Sequence, residues 1–281
     1  MTRRQLASGL AVLAVLGGAA WMAVRLGQRP PPPPPGTATH TLVLPDGRHL
    51  LYADGGRRDG PLVLLVHGTP GSWRDFDGLF LRPELTRRAR VVALDRLGWG
   101  GSAEGGLAPS LSIQAAAVAA ILRACSGNRP AVLVGYSLGG VIAPRVAMDF
   151  PELVDGLVLV AAPLDPGLEE TPWYRTLMRL PPVRWALPAR LSRADDEIRS
   201  LQDDLRAMLL RWTGLRCPVV VLQGEADALV PAENAAFAAR VLPAARVRIE
   251  RLPGQGHRIP QERPDRVAAA VLRLLYPATS G

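Results

Sequence analysis

The chain has 281 residues, 48% of them hydrophobic, which is enough apolar material for one large domain with a substantial core. Its formal charge of +8 comes from basic residues that are all arginine, and no arginine-rich block with interleaved aromatic residues occurs, so a nucleic-acid partner is not expected. The two cysteines have neither a metal-binding nor a C-x-x-C spacing, and we expect no metal site and no redox motif.

The first part of the chain is strongly apolar. Residues 5–24 carry no charge, and these 20 residues are about the length needed to cross the hydrocarbon core of a bilayer. A cleaved signal peptide with its apolar core at residues 6–16 is the alternative, but the length and the bulky Trp21 favour an uncleaved anchor. We therefore expect residues 1–28 to be a transmembrane anchor or signal sequence. The rest would lie outside the cytoplasm, periplasmic or extracellular, and would be secreted if the leader is cleaved.

Residues 29–38 follow, and 6 of them in succession are prolines. A run of prolines adopts an extended conformation that advances about 3.1 Å per residue and forms a stiff spacer. The sequence therefore predicts a proline-rich linker between the leader and a folded domain.

The domain opens with two alternating apolar runs around Pro45-Asp46-Gly47, which is the pattern of a β-hairpin. Continuous apolar runs come next, and such runs are typical of strands buried on both faces of a parallel sheet. They are residues 61–68, 89–96, 131–137, 156–163, 218–227 and 245–254. Helix-like stretches lie between several of these runs. We therefore expect an α/β fold with a mostly parallel, eight-stranded sheet and helices on both faces.

Residues 164–214 interrupt this alternation because they hold no strand-like run. Residues 192–212 within them have the pattern of one amphipathic helix with Ser192 as its N-cap. Ligands of open α/β sheets bind outside the carboxyl ends of the strands, and this segment leaves the sheet at such an end. The sequence thus predicts a helical cap at 164–214 on a core formed by residues 39–163 and 215–281.

A single serine lies between glycines where an apolar run meets a helix-like segment, in Gly-Tyr-Ser-Leu-Gly at positions 135–139. A sharp strand-to-helix turn with this G-x-S-x-G pattern holds a serine hydroxyl above the sheet edge, where it can act as a nucleophile. Ser137 is therefore the candidate nucleophile. The backbone N–H of Leu138, at the start of the helix, is expected to point into the same space.

A nucleophilic serine needs a base to take its proton and an acid to orient that base. Of 4 histidines, only His257 follows the last strand, as the chain order serine, acid, histidine requires. The acid must then lie between Ser137 and His257 at a carboxyl strand end, where Asp165 and Asp227 are the candidates. Asp227 is favoured because it stands directly at the end of its strand.

Three further polar residues adjoin strand ends. His67 ends the third strand, and Asp95 and Arg96 follow the fourth. We expect His67 to be structural, and we expect Asp95 and Arg96 to fix a loop rather than bind substrate.

Five motifs occur in the order and spacing of the α/β-hydrolase fold superfamily, which the chain resembles over about residues 40–276. They are LLVHGTPGS, LDRLGWGGS, GYSLGG, LQGEADALVP and GQGHRIP. The resemblance implies that Ser137 is the nucleophile, Asp227 the acid and His257 the base. It also implies that Thr69, which follows His-Gly in the first motif, supplies one oxyanion N–H beside that of the residue after the serine.

The resemblance also narrows the activity. Position 137 is not the aspartate of epoxide hydrolases and haloalkane dehalogenases, and Thr69 replaces the second glycine of the proline iminopeptidase motif. We expect a serine hydrolase that acts on a small-molecule carboxylic ester through an acyl-enzyme, without metal or cofactor, with Trp173 and Met178 of the cap in contact with substrate. The enzymatic alternatives are a C–C bond hydrolase, an amidase or aminopeptidase, an acyltransferase and a cofactor-free haloperoxidase. A small-molecule binder on the same scaffold is the non-enzymatic alternative.

Overall fold

The protein is described here by a computed structural model, which covers residues 32–169, 179–243 and 246–277. The described residues fall into two units. Residues 34–169 and those from 188 onward belong to the main unit, and residues 32–33 and 179–187 belong to the other. The sheet and the candidate site both lie in the main unit.

The chain enters the sheet through a tight turn and a hairpin. The N–H of Thr37 donates to the carbonyl of Pro34 (3.1 Å), and Gly36 between them has the positive φ of 74° that such a turn requires. Strand β1 (Ala38–Val43) then pairs with β2 (His49–Gly56) in antiparallel register. The predicted hairpin is confirmed.

Six more strands complete a sheet of 8 strands. They are β3 (Leu62–Val66), β4 (Arg90–Leu94), β5 (Ala131–Tyr136), β6 (Gly156–Val160), β7 (Val219–Gly224) and β8 (Val247–Leu252). The strand order is β1-β2-β4-β3-β5-β6-β7-β8. Only β2 pairs in an antiparallel manner, with β1 and β4, and the other neighbours are parallel. The predicted mostly parallel, eight-stranded sheet is therefore confirmed.

The apolar runs are continuous because both faces of the sheet are covered. In β3, Leu62, Leu64 and Val66 pack into one hydrophobic cluster, whereas Val63 and Leu65 pack into a second cluster. Successive strand residues point to opposite faces, so both sets of side chains must be apolar when helices cover both sides.

The α-helices in the described residues lie between these strands and after the last of them. They are α1 (Asp77–Phe80), α2 (Pro83–Thr86), α3 (Leu111–Ser126), α4 (Gly139–Asp149), α5 (Pro181–Ala186), α6 (Ala189–Glu197), α7 (Leu201–Met208), α8 (Glu233–Val241), α9 (Ile259–Glu262) and α10 (Pro264–Leu275). Helices α3, α4 and α8 contribute to the first cluster, and α1, α2 and α10 contribute to the second. The predicted helices on both faces are thus present.

The segment predicted to be one helix over residues 192–212 is broken, and that prediction is wrong. Helix α6 ends at Glu197 and α7 begins at Leu201, while Ser192 lies inside α6 rather than capping it. Apolar residues continue at helical spacing across the break, at Ile198, Leu201 and Leu205, so the pattern could not reveal it. The limits of the cap and core remain predictions.

The sequence predicts a membrane-anchored protein with its domain outside the cytoplasm, and the structure contradicts this prediction. The longest described helix, α3, has 16 residues, whereas a spanning helix needs about 20 apolar ones. No helix in the described ranges is long and apolar enough to cross a bilayer. The leader at 1–28, with its expected anchor at 5–24, lies outside the described residues, as does the beginning of the linker at 29–31.

Candidate active site

Ser137 stands in a sharp turn between a strand and a helix. Strand β5 ends at Tyr136, and α4 begins at Gly139. Ser137 has a positive φ of 53°, which residues other than glycine seldom adopt. Its N–H donates to the carbonyl of Val160 at the end of β6 (2.9 Å). The expected strand, turn and helix are therefore present, and they hold the serine at the carboxyl ends of the strands.

Glycines around Ser137 let three backbone segments approach one another. A Cβ on Gly139 would collide with the carbonyl oxygen of Val66, and a Cβ on Gly135 would collide with the carbonyl of Gly139. A Cβ on Gly68 would lie 2.7 Å from the Cβ of Ser137. Because glycine has no Cβ, the loop after β3 can lie directly against the serine.

His257 and Asp227 are joined by a hydrogen bond. Nδ1 of His257 lies 2.8 Å from Oδ2 of Asp227, and Oδ1 accepts the N–H groups of Leu229 and Val230, each at 2.9 Å. Burial alone would raise the pKa of Asp227, but the hydrogen bonds from His257 and Val230 bring it below its usual value. Asp227 is therefore ionised at neutral pH and holds a proton on Nδ1 of the imidazole.

Asp165, the other candidate acid, is engaged elsewhere. Its Oδ2 accepts from the Arg240 guanidinium at 2.9 Å, and its Oδ1 accepts the N–H of Gly167 at 2.9 Å. Of the two carboxylates that the sequence leaves open, the structure joins Asp227 to the histidine.

A cavity of about 210 Å³ brings Ser137 and His257 together. Thr69 and Leu138, the two expected oxyanion donors, line the same cavity. The other lining residues are mainly apolar: Pro163, Ile198, Leu201, Leu229 and Val230, together with Glu169. A group that reacts at Ser137 therefore adjoins a space suited to a small hydrocarbon chain.

The predicted substrate contacts, Trp173 and Met178, lie outside the described residues. Ile198 and Leu201, which do line the cavity, were missed by the sequence reasoning. Their apolar character was visible in the amphipathic stretch, but periodicity does not show whether a helix face covers a core or a cavity.

The polar residues after β3 and β4 support the loops around the site. Asp95 accepts the N–H groups of Trp73 and Gly101, both at 2.8 Å, and burial raises its pKa. His67 is fully buried, and burial and the charge of Arg96 hold the pKa of His67 well below its usual value, so this imidazole is neutral. Asp95 thus holds the backbone of two neighbouring loops, as expected. Within the described ranges, no group of His, Cys, Asp or Glu side chains is placed to hold a metal ion.

Comparison with known proteins places the chain among relatives of varied activity. An uncharacterised protein of Mycobacterium tuberculosis is 28% identical over 244 residues, covering 70% of this chain and 70% of the relative. A non-heme chloroperoxidase of Streptomyces lividans is 39% identical over 123 residues, covering 43% of this chain and 44% of the relative.

Solved structures share the fold. A bacterial membrane phospholipase A superposes with a TM-score of 0.66 at 24% identity, covering 98% of both chains. A putative aryl esterase from Burkholderia cenocepacia superposes with a TM-score of 0.65 at 23% identity, covering 85% of this chain and 99% of the other. The model of the alpha/beta hydrolase family matches residues 63–270. That match spans most of the chain, and it accords with the eight-stranded sheet and the serine turn: the chain belongs to the alpha/beta hydrolase family.

Proposed function

We propose that the protein is a serine hydrolase that cleaves a small carboxylic ester, with Ser137 as nucleophile, His257 as base and Asp227 as acid. The observation that carries this proposal is the 2.8 Å contact between Asp227 and Nδ1 of His257, beside a cavity that His257 and Ser137 both line. With Nδ1 engaged by the carboxylate, Nε2 is the nitrogen left to exchange a proton with the serine.

The reaction proceeds in two halves. Nε2 of His257 takes the proton of Ser137 as the serine oxygen bonds to the ester carbonyl carbon. The tetrahedral intermediate collapses, the alcohol leaves with the proton from His257, and an acyl-serine remains. In the second half, His257 takes a proton from water, the hydroxide attacks the acyl carbon, and Ser137 departs with that proton as the carboxylic acid is released.

Two backbone N–H groups would hold the oxyanion that forms in each half. Leu138 immediately precedes α4, where the dipole of the helix favours negative charge. Thr69 follows Gly68, whose backbone lies against Ser137. Both residues line the cavity, which supports their assignment as oxyanion donors.

An ester with a small acyl group suits the cavity best. Its volume of about 210 Å³ lies below the range of about 300–1,000 Å³ typical of sites for drug-sized ligands. Its walls are mainly apolar, so a short hydrocarbon acyl chain gains from leaving water there.

A second candidate activity is halide oxidation without a cofactor, which the similarity to the non-heme chloroperoxidase favours. Ser137 would first form an ester with a carboxylic acid such as acetic acid, with loss of water. Hydrogen peroxide would then attack the acyl carbon in place of water, releasing a peroxy acid and the free serine. The peroxy acid would then oxidise chloride to hypochlorous acid and return to the carboxylic acid, so no redox group of the protein is needed.

A fluorophosphonate probe tests the proposed function. The activated oxygen of Ser137 should displace fluoride from phosphorus, giving one covalent adduct visible by intact mass. Purified protein should also hydrolyse p-nitrophenyl acetate and butyrate, and Ser137→Ala should abolish both labelling and turnover. Wild-type protein that gives no adduct and no turnover would instead support a binder on the same scaffold. Chlorination of monochlorodimedone with hydrogen peroxide, chloride and acetate would add the second activity.

A further inference from the structure

Arg96 follows β4, and its fully buried guanidinium links two parts of the main unit. Nε donates to the carbonyl of His67 at 2.9 Å, and Nη2 donates to the carbonyl of Gly68 at 2.8 Å. Nη1 and Nη2 also donate to Oε1 and Oε2 of Glu197, at 2.7 and 3.0 Å. One side chain thus binds the loop beside Ser137 and the end of α6.

The Gly68 carbonyl belongs to the peptide group whose N–H is that of Thr69. This peptide is trans, and in a planar trans peptide the C=O and N–H bonds point in opposite directions. Holding the carbonyl on Arg96 therefore fixes the direction of the Thr69 N–H on the other side. A hydrogen bond to the carbonyl also polarises the peptide and makes its N–H a better donor.

His67 makes a second hydrogen bond to the same carbonyl. The backbone N–H of Arg96 donates to Nε2 of His67 at 2.9 Å, so the proton of this neutral ring is on Nδ1. Nδ1 lies 2.7 Å from the Gly68 carbonyl oxygen and donates to it. Two donors from two loops thus converge on one oxygen.

Glu197 connects α6 to this set of hydrogen bonds. It is the last residue of α6, its side chain is 1% exposed, and its contact with Arg96 is bidentate. The next residue, Ile198, lines the cavity. The position of α6 and the direction of the Thr69 N–H are therefore set by the same guanidinium.

A contribution to stability does not by itself explain a buried ion pair at this place. Removing two charges from water is costly, and well-packed apolar residues commonly replace such pairs without loss of stability. Apolar side chains, however, could not donate a hydrogen bond to the carbonyl of Gly68 as Arg96 does.

We propose that Arg96 and Glu197 are positioning residues that couple α6 to the oxyanion peptide. When Glu197 is seated on Arg96, the guanidinium holds the Gly68 carbonyl, the Thr69 N–H is aimed at the oxyanion and Ile198 is placed in the cavity. The inference rests on the proposed function, because it assigns the Thr69 N–H to the oxyanion of an acyl transfer.

The test replaces both charges at once, as Arg96→Met with Glu197→Leu, so that no unpaired charge is left buried. With p-nitrophenyl acetate, we expect kcat to fall at least about tenfold with KM nearly unchanged, since loss of a complete oxyanion donor costs about 10²–10³. An alkyl trifluoromethyl ketone, which Ser137 converts to a bound hemiketal oxyanion, should show Ki raised by a similar factor. Labelling with fluorophosphonate gives the active fraction, to which kcat is normalised.

The Ki measurement separates positioning from a structural role. A variant that merely folds less well has fewer active molecules, but each one binds the ketone with unchanged Ki. Arg193→Met is the matched control, because Arg193 of α6 also donates to a core loop, at Gly98 (3.1 Å), without touching the Gly68 carbonyl. The Arg193→Met variant should keep kcat and Ki within about twofold of the wild-type values.

Each outcome decides the proposal. A folded double variant with wild-type kcat and Ki would show that the pair only supports the fold. If the double variant does not fold, Arg96→Lys replaces it. Lysine keeps the charge but lacks the planar fork that serves two carbonyls and a carboxylate together, so the same changes are expected. A wild-type protein that neither labels nor turns over would overturn the proposed function itself, and the inference with it.

Discussion

One carboxylate oxygen of Asp227 faces His257, and the other accepts hydrogen bonds from the backbone that follows Asp227. Oδ1 accepts the N–H groups of Leu229 and Val230, and Oδ2 contacts Nδ1 of His257. Because Oδ1 is held by two donors, the carboxylate cannot turn freely, and Oδ2 stays directed at the imidazole.

Replacing Asp227 by asparagine should therefore impose the wrong histidine tautomer. The backbone donors require an oxygen at the position of Oδ1, so the amide nitrogen would face His257. Nδ1 would have to accept a hydrogen bond, and the ring proton would move to Nε2, where the base must be free. We expect Asp227→Asn to lower kcat for p-nitrophenyl acetate by about 10³–10⁴ with the fold retained, as judged by circular dichroism.

Asp165→Asn is the matched control. That residue also follows a strand end, but its carboxylate pairs with Arg240. We expect kcat to change less than about twofold, because a partly exposed ion pair away from the chemistry contributes little. A large loss in Asp165→Asn and a small one in Asp227→Asn would transfer the role of the acid to Asp165.

The sheet and the positions of the candidate site residues could be predicted because each rests on a local pattern. The apolar run before Ser137 and the glycines around it define a strand and a sharp turn, and Asp227 and His257 lie in the loops that follow β7 and β8. In a parallel sheet, carboxyl strand ends share one edge, so residues far apart in sequence are brought together by topology alone.

The link between Arg96 and Glu197 could not be predicted in the same way. The two residues are 101 positions apart, and each is an ordinary charged residue in its own segment. Periodicity showed an amphipathic stretch around Glu197 but neither the break after it nor its buried partner. Contacts of this kind depend on how an insertion packs, which no local pattern encodes.

Asp75 provides a prediction on stability and pH. Its side chain accepts the N–H of Ser72 at 3.3 Å and contacts Gln261, and burial raises its pKa to about 6. In the unfolded chain the pKa is about 3.9, so between these values the folded protein holds a proton that the unfolded chain has lost. The contribution of Asp75 therefore favours folding at low pH and is lost as the pH rises from about 4 to 6.

Asp75→Asn removes this titration while keeping an oxygen for the Ser72 N–H. We expect the free energy of unfolding of the variant, relative to wild type, to rise from near zero at pH 4 to at most about 3 kcal/mol at pH 7. Urea unfolding across this pH range measures the difference. A difference that does not change with pH would show that Asp75 titrates normally in the folded protein.

Gly139 provides a prediction on the packing below Ser137. A Cβ at this position would collide with the carbonyl oxygen of Val66 and lie 2.7 Å from that of His67, and both obstacles are backbone. Neither carbonyl can rotate away as a side chain could. We expect Gly139→Ala to lower the free energy of unfolding by about 3 kcal/mol or more. Gly214→Ala is the control, because a Cβ there meets nothing within 4 Å, and it should change stability by less than about 1 kcal/mol.

Ile198 provides the prediction on substrate choice. It lines the cavity, directly after the residue that fixes α6, and therefore limits the space beyond the reacting carbonyl. Burying one methylene contributes about 0.8 kcal/mol. Changing the side chain at position 198 by a few methylenes in size should therefore shift the preference between acyl chain lengths of the substrate by about tenfold. Ile198→Ala should raise kcat/KM for p-nitrophenyl hexanoate relative to acetate by about three- to tenfold, and Ile198→Phe should lower the same ratio at least as much.

Leu210→Ala, at a residue 93% exposed outside the cavity lining, should leave the ratio unchanged. Fluorophosphonate labelling of Ser137 should persist in all three variants, since none alters the reacting groups. If both Ile198 variants kept the wild-type ratio, Ile198 would not contact the acyl chain, and the chain would have to lie along another wall, such as the one formed by Leu229 and Val230.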